Sequence, residues 1–466
     1  MKKPYDIKAE IDSKKINNWK TAVIKLLVIT VVFLGSIVLT TLSAKAQETW
    51  SLVQCIDYAV QNNIALNVAD NNTGKQQINL RESKARILPT LNMGSGVNMS
   101  FGRNIDGNTN EITYDQTLSN NYWISSSIDL FQGLVKYNAI GFNKYLLSAT
   151  KEEAFYVKNK LVFDVLTAYY IVLYSKGLRN VAQSQVTLSE MQFERMQKLV
   201  DIGRESPITV QELKSQWASD KLSLTQSQNL YNKTLGELKQ LLRLDAEQSF
   251  TVDTMNLNSF VEKPIQNIDS LFNVAVNILP EIKQQEFLYK ASIKDLAIAK
   301  GGIAPRIYMS AGFYTGYFDG DPLAYKDQIS DNQNQAINMG ITIPIFNNTM
   351  VNSSIKRKKI VVKDRELAIQ NQRDALYTEI WRAIDDLHSA ENEYQSALEL
   401  HEFSELSLEN ATKKMEKGLA SPTDYEVAKQ RFTSAKASLL KARLLYFMRR
   451  QMLMFYQSGN WNHILG

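Results

Sequence analysis

From Thr349 to Gly418 the chain runs for 70 residues without proline and without glycine until Gly418 itself. Its mixture of charged and apolar residues predicts one uninterrupted helix of about 65 to 70 residues, roughly 100 Å long at the α-helical rise. A helix of that length has no place in a compact core, since most globular helices are a few turns long. The sequence Gly418-Leu419-Ala420-Ser421-Pro422-Thr423-Asp424 then reads as a stop and a restart, with glycine closing one helix and Ser-Pro opening the next. The following helix, Tyr425 to Tyr456, runs back along the first.

The same hairpin occurs earlier in the chain. Leu88-Pro89-Thr90-Leu91 answers Ala304-Pro305-Arg306-Ile307, and Ile128-Asp129-Leu130-Phe131 answers Ile343-Pro344-Ile345-Phe346. Gly203-Arg204-Glu205-Ser206-Pro207 answers Gly418-Leu419-Ala420-Ser421-Pro422, and all three correspondences hold an offset of 215 or 216 residues. Three landmarks in one order and nearly one register mean duplication. The period is far too long for a solenoid, so the chain is two halves of one architecture.

Residues 1–46 read as an address. Eight lysines precede or flank an apolar run from Leu26 to Leu42, which ends at the small-x-small pattern Ala44-Lys45-Ala46. This is a secretory signal with Gln47 as the mature start; an uncleaved membrane anchor is the alternative, and either exports the body. The lysines also account for the formal charge of +5, because Met1–Ala46 carries only three acids against them. The remaining chain is neutral and carries no nucleic-acid signature. No other segment reads as a transmembrane helix. Cys55 is the single cysteine, so no internal disulfide is possible, and its helical surroundings suit a small buried hydrophobe. A first helix is expected from Leu52 to about Ala85.

Strands follow. From Thr90, Leu91, Met93, Val97, Met99 and Phe101 alternate with Asn92, Gly94, Gly96, Asn98 and Ser100. After a polar loop from Gly102 to Asn120, Tyr122, Ile124, Ile128 and Leu130 alternate with Trp123, Ser125, Ser127 and Asp129. The second half repeats the design across 306–346, with Ile307, Met309, Phe313 and Tyr317, then Ile337, Met339, Ile341, Ile343 and Ile345 on the apolar side. A soluble hairpin packed on a helix gives the same alternation. Strands of about 10 to 13 residues with aromatics and aliphatics on one face and Gly, Ser and Asn on the other fit lipid outside and water inside. Four strands cannot close a barrel, and lipid tolerates no open edge, so the barrel must be shared between chains. Two copies give eight strands with a filled interior and three give twelve with a passage.

Each hairpin leads into a long helix, Gln132 to Val200 in the first half. Its distal part carries Ala182, Val186, Ser189, Phe193, Met196 and Val200, matched in the second half by Ala397, His401, Ser404, Leu408, Ala411 and Met415. This coiled-coil seam is narrow, so these helices pack edge to edge. A periplasmic coiled-coil structural or adaptor protein would share the seam, but has no use for the strands.

From Trp50 to Trp461 the sequence resembles the TolC family of outer-membrane efflux ducts: signal, duplicated halves, Leu-Pro-Thr-Leu-like strand starts, strand pairs, long helices and Gly-x-x-Ser-Pro tips. The resemblance implies an α+β membrane protein in which three chains share a twelve-stranded β-barrel, continued by a barrel of long α-helical hairpins across the periplasm. The expected units are a signal at 1–46, a first repeat at 47–257 with its hairpin at 90–131 and tip at 203–208, and a second repeat at 258–466 with its hairpin at 306–346 and tip at 418–424. The implied function is the passive exit duct of a tripartite efflux or type I secretion system in the outer membrane. Its implied partners are outer-membrane lipid, two further copies in a homotrimer, a periplasmic adaptor protein and an inner-membrane pump.

The family's adaptors grip the tips, which here are Gly203, Arg204, Ser206 and Pro207 with Gly418, Leu419, Ser421 and Pro422. An acidic ring at the closed periplasmic aperture maps to Asp424, with Thr209 its first-half counterpart. The family's second acidic position falls at Val427 and its latching arginine at Ala420, two departures from the pattern. Catalysis has no candidate. His388, His401 and His463 are far apart, no His/Cys/Asp cluster has ligand spacing, and Asp385-Asp386, Glu391 and Glu393 read as a solvated face. No cofactor or metal is expected. The run Lys356-Arg357-Lys358-Lys359 fits lipid headgroups or a solvated turn of helix.

Overall fold

The computed structural model describes residues 48–105, 110, 112–113, 116–245, 247–253, 267–417 and 419–461. The signal at 1–46, the boundary at 257/258, Gly418 and His463 lie outside the described residues.

The first half runs β1 (Glu48–Trp50), α1 (Leu52–Asn62), α2 (Ile64–Ala85), β2 (Thr90–Ser100), the two-residue strands β3 (Asn104–Ile105) and β4 (Ile112–Thr113), β5 (Thr117–Gln132), α3 (Val135–Asp201), α4 (Pro207–Leu242) and β6 (Phe250–Val252). The second half runs α5 (Ile268–Ile278), α6 (Pro280–Gly301), β7 (Arg306–Phe318), α7 (Tyr325–Asp331), β8 (Asn334–Thr342), α8 (Met350–Glu416) and α9 (Pro422–Ser458). Both long helices, α3 and α8, are 67 residues, about 100 Å each at the α-helical rise.

The four long strands make one antiparallel sheet in the order β2-β5-β7-β8. The two hairpins are joined by a ladder between β5 and β7 that runs from Ser119↔Phe318 to Gln132↔Arg306. Cross-strand partners share a face, so the register places Met93, Ile124, Phe313 and Gln335 in one row, and Val97, Asn120 and Tyr317 in another. The opposite face carries Asn92, Ser125, Gly312 and Ala336. Its few aromatics lie flat on glycine: a Cβ at Gly94 would meet the Trp123 ring at 2.5 Å, and one at Gly340 the Tyr308 hydroxyl at 2.5 Å. The sheet has two open edges, the outer sides of β2 and β8.

Helices continue the sheet in the same order. Strand β2 follows α2, β5 leads to α3, β7 follows α6 and β8 leads to α8, and the contacting neighbours are α2 with α3, α3 with α6, and α6 with α8. The strand-to-helix joints repeat across the halves, with Gly133 and Leu134 left-handed at φ 57° and 60°, and Asn348 and Thr349 at φ 51° and 62°. At Gly133 space also matters, because a Cβ there would sit 2.5 Å from the Gly301 carbonyl oxygen.

Two apolar cores lie part-way down the helices. The first gathers Cys55 and Ile56 of α1, Val165, Leu166 and Tyr169 of α3, Leu238 of α4 and Val252 of β6. The second gathers Leu271 and Ala275 of α5, Leu376 and Ile380 of α8, and Leu453 of α9. Cys55 is fully buried, and burial pushes its thiol up to about 12. β1 pairs in parallel with β6, fastening the start of the described chain to the end of the first half.

Five expectations are corrected. The helix expected from Leu52 to Ala85 breaks at Asn63, which is extended (φ −74°, ψ 130°) and accepts the Ala65 amide on its side chain at 2.8 Å. The second half breaks at the matching place, where Leu279 is held extended by the following Pro280. The fourth strand stops at Thr342 rather than running to Phe346, because Pro344 has no N–H to give the ladder. In β5 a bulge between Asp129 and Phe131 leaves Leu130 without a partner, so Phe131 and not Leu130 joins Ile307 on the apolar face. The loops hold structure: β3 pairs with β4, and α7 buries Gln328, whose amide donates to the Phe318 and Leu323 carbonyls and accepts the Phe318 amide. Finally, α3 contains a window apolar enough to cross a membrane, half of it buried inside the fold. That window reflects the first core, to which α3 supplies Leu161 through Leu173.

Candidate functional site: the helical tips and the cleft above them

Both tips are closed by backbone geometry. At the first, Gly203 takes φ +72°, its amide donates to the Val200 carbonyl, and the Arg204 amide reaches back to Leu199 at 2.9 Å. At the second, the Leu419 amide makes the equivalent six-residue closure to Lys414 at 2.8 Å. The return helices start alike, on Ser206 and Ser421, each followed by proline.

The two serines then differ. Ser206 accepts the Ile208 amide at 3.3 Å, and Thr209 behind it is half-buried and adds no charge. Ser421 forms a reciprocal capping box: its hydroxyl oxygen accepts the Asp424 amide at 3.2 Å while the Asp424 carboxylate accepts the Ser421 amide at 3.2 Å and its hydroxyl at 2.7 Å. The Ser421 hydroxyl, then its amide, hold the exposed Asp424 carboxyl below the usual aspartate range. Asp424 is therefore both a cap and an anion at neutral pH. Leu419 is 74% exposed and shares a shallow groove with Asp424, Phe403 and Val427 between α8 and α9. The structure thus brings Leu419 and Asp424 onto one face; no hydrogen bond or ion pair joins Thr209 to Asp424 among the described residues.

The seam packs as spaced. Ala182, Val186 and Ser189, and Ala397 and Ser404, are buried, and two seam rings pack within their own hairpins, Phe193 stacked on Trp217 at 5.5 Å and His401 tilted at 44° against Phe432 at 5.3 Å. His401 is a packing residue. In the basic run, Lys358 is committed to Asp295 of α6 at 2.5 Å, while Lys356, Arg357 and Lys359 face outward.

Sequence reading missed the most heavily buried charge among the described residues. Lys429 of α9 is 2% exposed and lies between Asp220 of α4 at 3.2 Å and Glu426 of its own helix at 3.3 Å. Burial, opposed by Lys429, holds Glu426 above the ordinary glutamate range. This triad and a hydrogen bond from Gln185 of α3 to Thr433 tie the second hairpin to the first just above the tips. The seven-residue seam could not reveal it, because Lys429 lies on the return helix and reads there as one more surface lysine.

The chain thus builds a four-stranded sheet that runs on, strand by strand, into four helices. Residues 273–456 match the family model described as outer membrane efflux protein. In fold the chain is similar to CusC, with a TM-score of 0.76 and 17% identity over 90% of this chain and 96% of that one. It is similar also to the outer membrane protein VceC of Vibrio cholerae (TM-score 0.72, 16% identity, 88% and 96% covered) and to the open state of the MtrE outer membrane channel of Neisseria gonorrhoeae (0.73, 17%, 87% and 88%). None of the curated proteins matches the chain in sequence. Residues 273–456 thus carry an outer membrane efflux protein domain, and the chain as a whole shares the fold of these outer-membrane channels, long helices with a β-part.

Proposed function

We propose that three copies of this chain form the exit duct of a tripartite efflux or secretion assembly, a passive conduit through the outer membrane and across the periplasm. One observation carries the reading: the sheet order β2-β5-β7-β8 is the helix order α2-α3-α6-α8, and the sheet ends in two open edges. Pairing β8 of one copy with β2 of the next satisfies both edges, which lipid would otherwise leave unpaired at several kcal/mol per group. Three copies then give twelve strands and a passage, continued by twelve helices. The apolar face supports lipid as its solvent, with Met93 and Ile337 both 79% exposed in the protomer. A periplasmic coiled-coil spacer or adaptor would leave that face in water.

Protein extracted from the outer membrane in detergent should have the mass of a trimer and conduct ions in planar bilayers; a folded monomer or dimer in lipid would overturn the reading. In such recordings the three exposed Asp424 carboxylates, gathered by symmetry at the aperture, should favour cations. Asp424→Ala is expected to lower cation preference and weaken block by multivalent cations. Unchanged selectivity leaves Asp424 a helix cap only.

The tips are proposed as the surface gripped by a periplasmic adaptor that joins the duct to an inner-membrane pump, with Gly203, Arg204, Ser206, Pro207, Gly418, Leu419, Ser421 and Pro422 at the contact. Leu419 is the position to test, being exposed and free of a packing role. Leu419→Trp should abolish export in cells while trimers form normally, and normal export from that variant would remove the docking role.

A further inference from the structure

We propose that the cavity between the two apolar cores, walled by Phe163, Phe455, Tyr456 and Trp461 and carrying Glu281 and Glu379, is a binding site for a small organic ammonium ion. The cavity encloses about 240 Å³, where α3, the start of α6, α8 and the end of α9 meet. That is room for about eight waters, or one small amine. Trp461 belongs to the first core and Tyr456 to the second, and Phe455 packs against both, so the cavity lies on the junction of the two halves.

Its walls suit a cation. Phe455 and Trp461 stack face to face at 4.5 Å and 15°, and the Tyr456 ring stands 64° to Phe455 at 5.7 Å, so the wall presents rings at an angle to one another. Aromatic faces set at an angle attract an ammonium by their quadrupoles and shed its hydration at low cost. The Tyr456 hydroxyl is hydrogen-bonded to Glu379, which fixes that carboxylate against the aromatic wall.

The charges point the same way. Glu281 and Glu379 join none of the ion pairs among the described residues. The one lysine at the wall, Lys160, is occupied by Asp164 at 3.1 Å. Burial, and then the neighbouring Glu379, push the Glu281 carboxyl above its ordinary range. The half-buried Glu281 and the exposed Glu379 face one space without a cation and repel each other, and a bound ammonium would relieve both. A neutral ligand would use the rings and leave the carboxylates unanswered. The inference stands on the protomer alone and does not depend on the duct reading.

Choline is the probe. Titrated calorimetrically into the full-length protein in detergent, it should bind saturably at one site per protomer. Its neutral isostere, with a quaternary carbon in place of nitrogen, should not compete. Glu281→Gln, which leaves the Tyr456–Glu379 bond in place, is expected to weaken binding by about tenfold, and Glu379→Gln by at least as much. Quenching of Trp461 emission, identified by its loss in Trp461→Phe, reads the same event without relying on the glutamate variants. Absence of saturable binding to the wild-type protein, equal binding of the isostere, or undiminished binding by Glu281→Gln would each overturn the proposal.

Discussion

A chain lacking Thr90–Phe131 is expected to stay out of the outer membrane altogether. The deletion removes β2 and nearly all of β5, and with them the ladder that β7 makes with β5 from Ser119↔Phe318 to Gln132↔Arg306. The remaining pair, β7 and β8, would expose the whole β7 edge, and each unpaired backbone group in hydrocarbon costs several kcal/mol. In the proposed trimer the loss is not made up by closing a smaller barrel, because six strands would have to cap a tunnel of twelve helices. The measurement is membrane fractionation of the deletion variant, with detergent-extracted trimers as the readout. Trimers of normal yield in the outer membrane would show that the sheet is not the membrane wall.

Lys429→Ala should be the most damaging single substitution near the tips. It leaves Asp220 and Glu426 facing each other at a site where Lys429 is 2% exposed, and stranding buried charges this way costs about 3–5 kcal/mol. Thermal or denaturant unfolding in detergent reads the loss. Replacing all three residues by apolar ones of similar volume should recover most of it, which separates the stranded charge from lost packing. The sign of the pH dependence follows from Glu426, whose folded pKa is raised. Such a group contributes its full stability below the ordinary glutamate pKa and loses it as pH rises through the raised value. Without Lys429 the raise is larger, so the variant's deficit should be greatest at neutral pH and shrink in acid. A deficit that does not change with pH would remove the charge explanation.

Much of this architecture is legible in residue order because it repeats. The offset of 215 or 216 residues places tips, strand starts and long helices, and period-two alternation places Met93, Ile124 and Phe313 on one face before any contact is known. What escapes the reading is set by single residues or by tertiary neighbours. Asn63 breaks a helix because its side chain caps the next one, a competition that helical spacing on either side conceals. Leu130 is bulged out of a strand whose alternation otherwise includes it. Among the tip residues the glycine and serine roles follow from their chemistry. Asp424 could be placed at the helix start, but its reciprocal bond to Ser421 could not. Lys429 and the aromatic cavity are invisible for one reason: each is made by helices far apart in sequence, and nothing local tells a lysine or a glutamate on a charged helix that its neighbour will bury it.

The two open sheet edges also govern how defects would be inherited. In the proposed trimer β2 and β8 are finished only by other copies, so a protomer with a spoiled β8 edge but intact helices would still be recruited, and would leave a gap in the wall of every assembly that takes it. In a cell making both forms, most assemblies would contain at least one faulty chain. Damage confined to that edge should therefore act dominantly over a normal copy of the gene. A chain too misfolded to assemble should be recessive, because it poisons nothing.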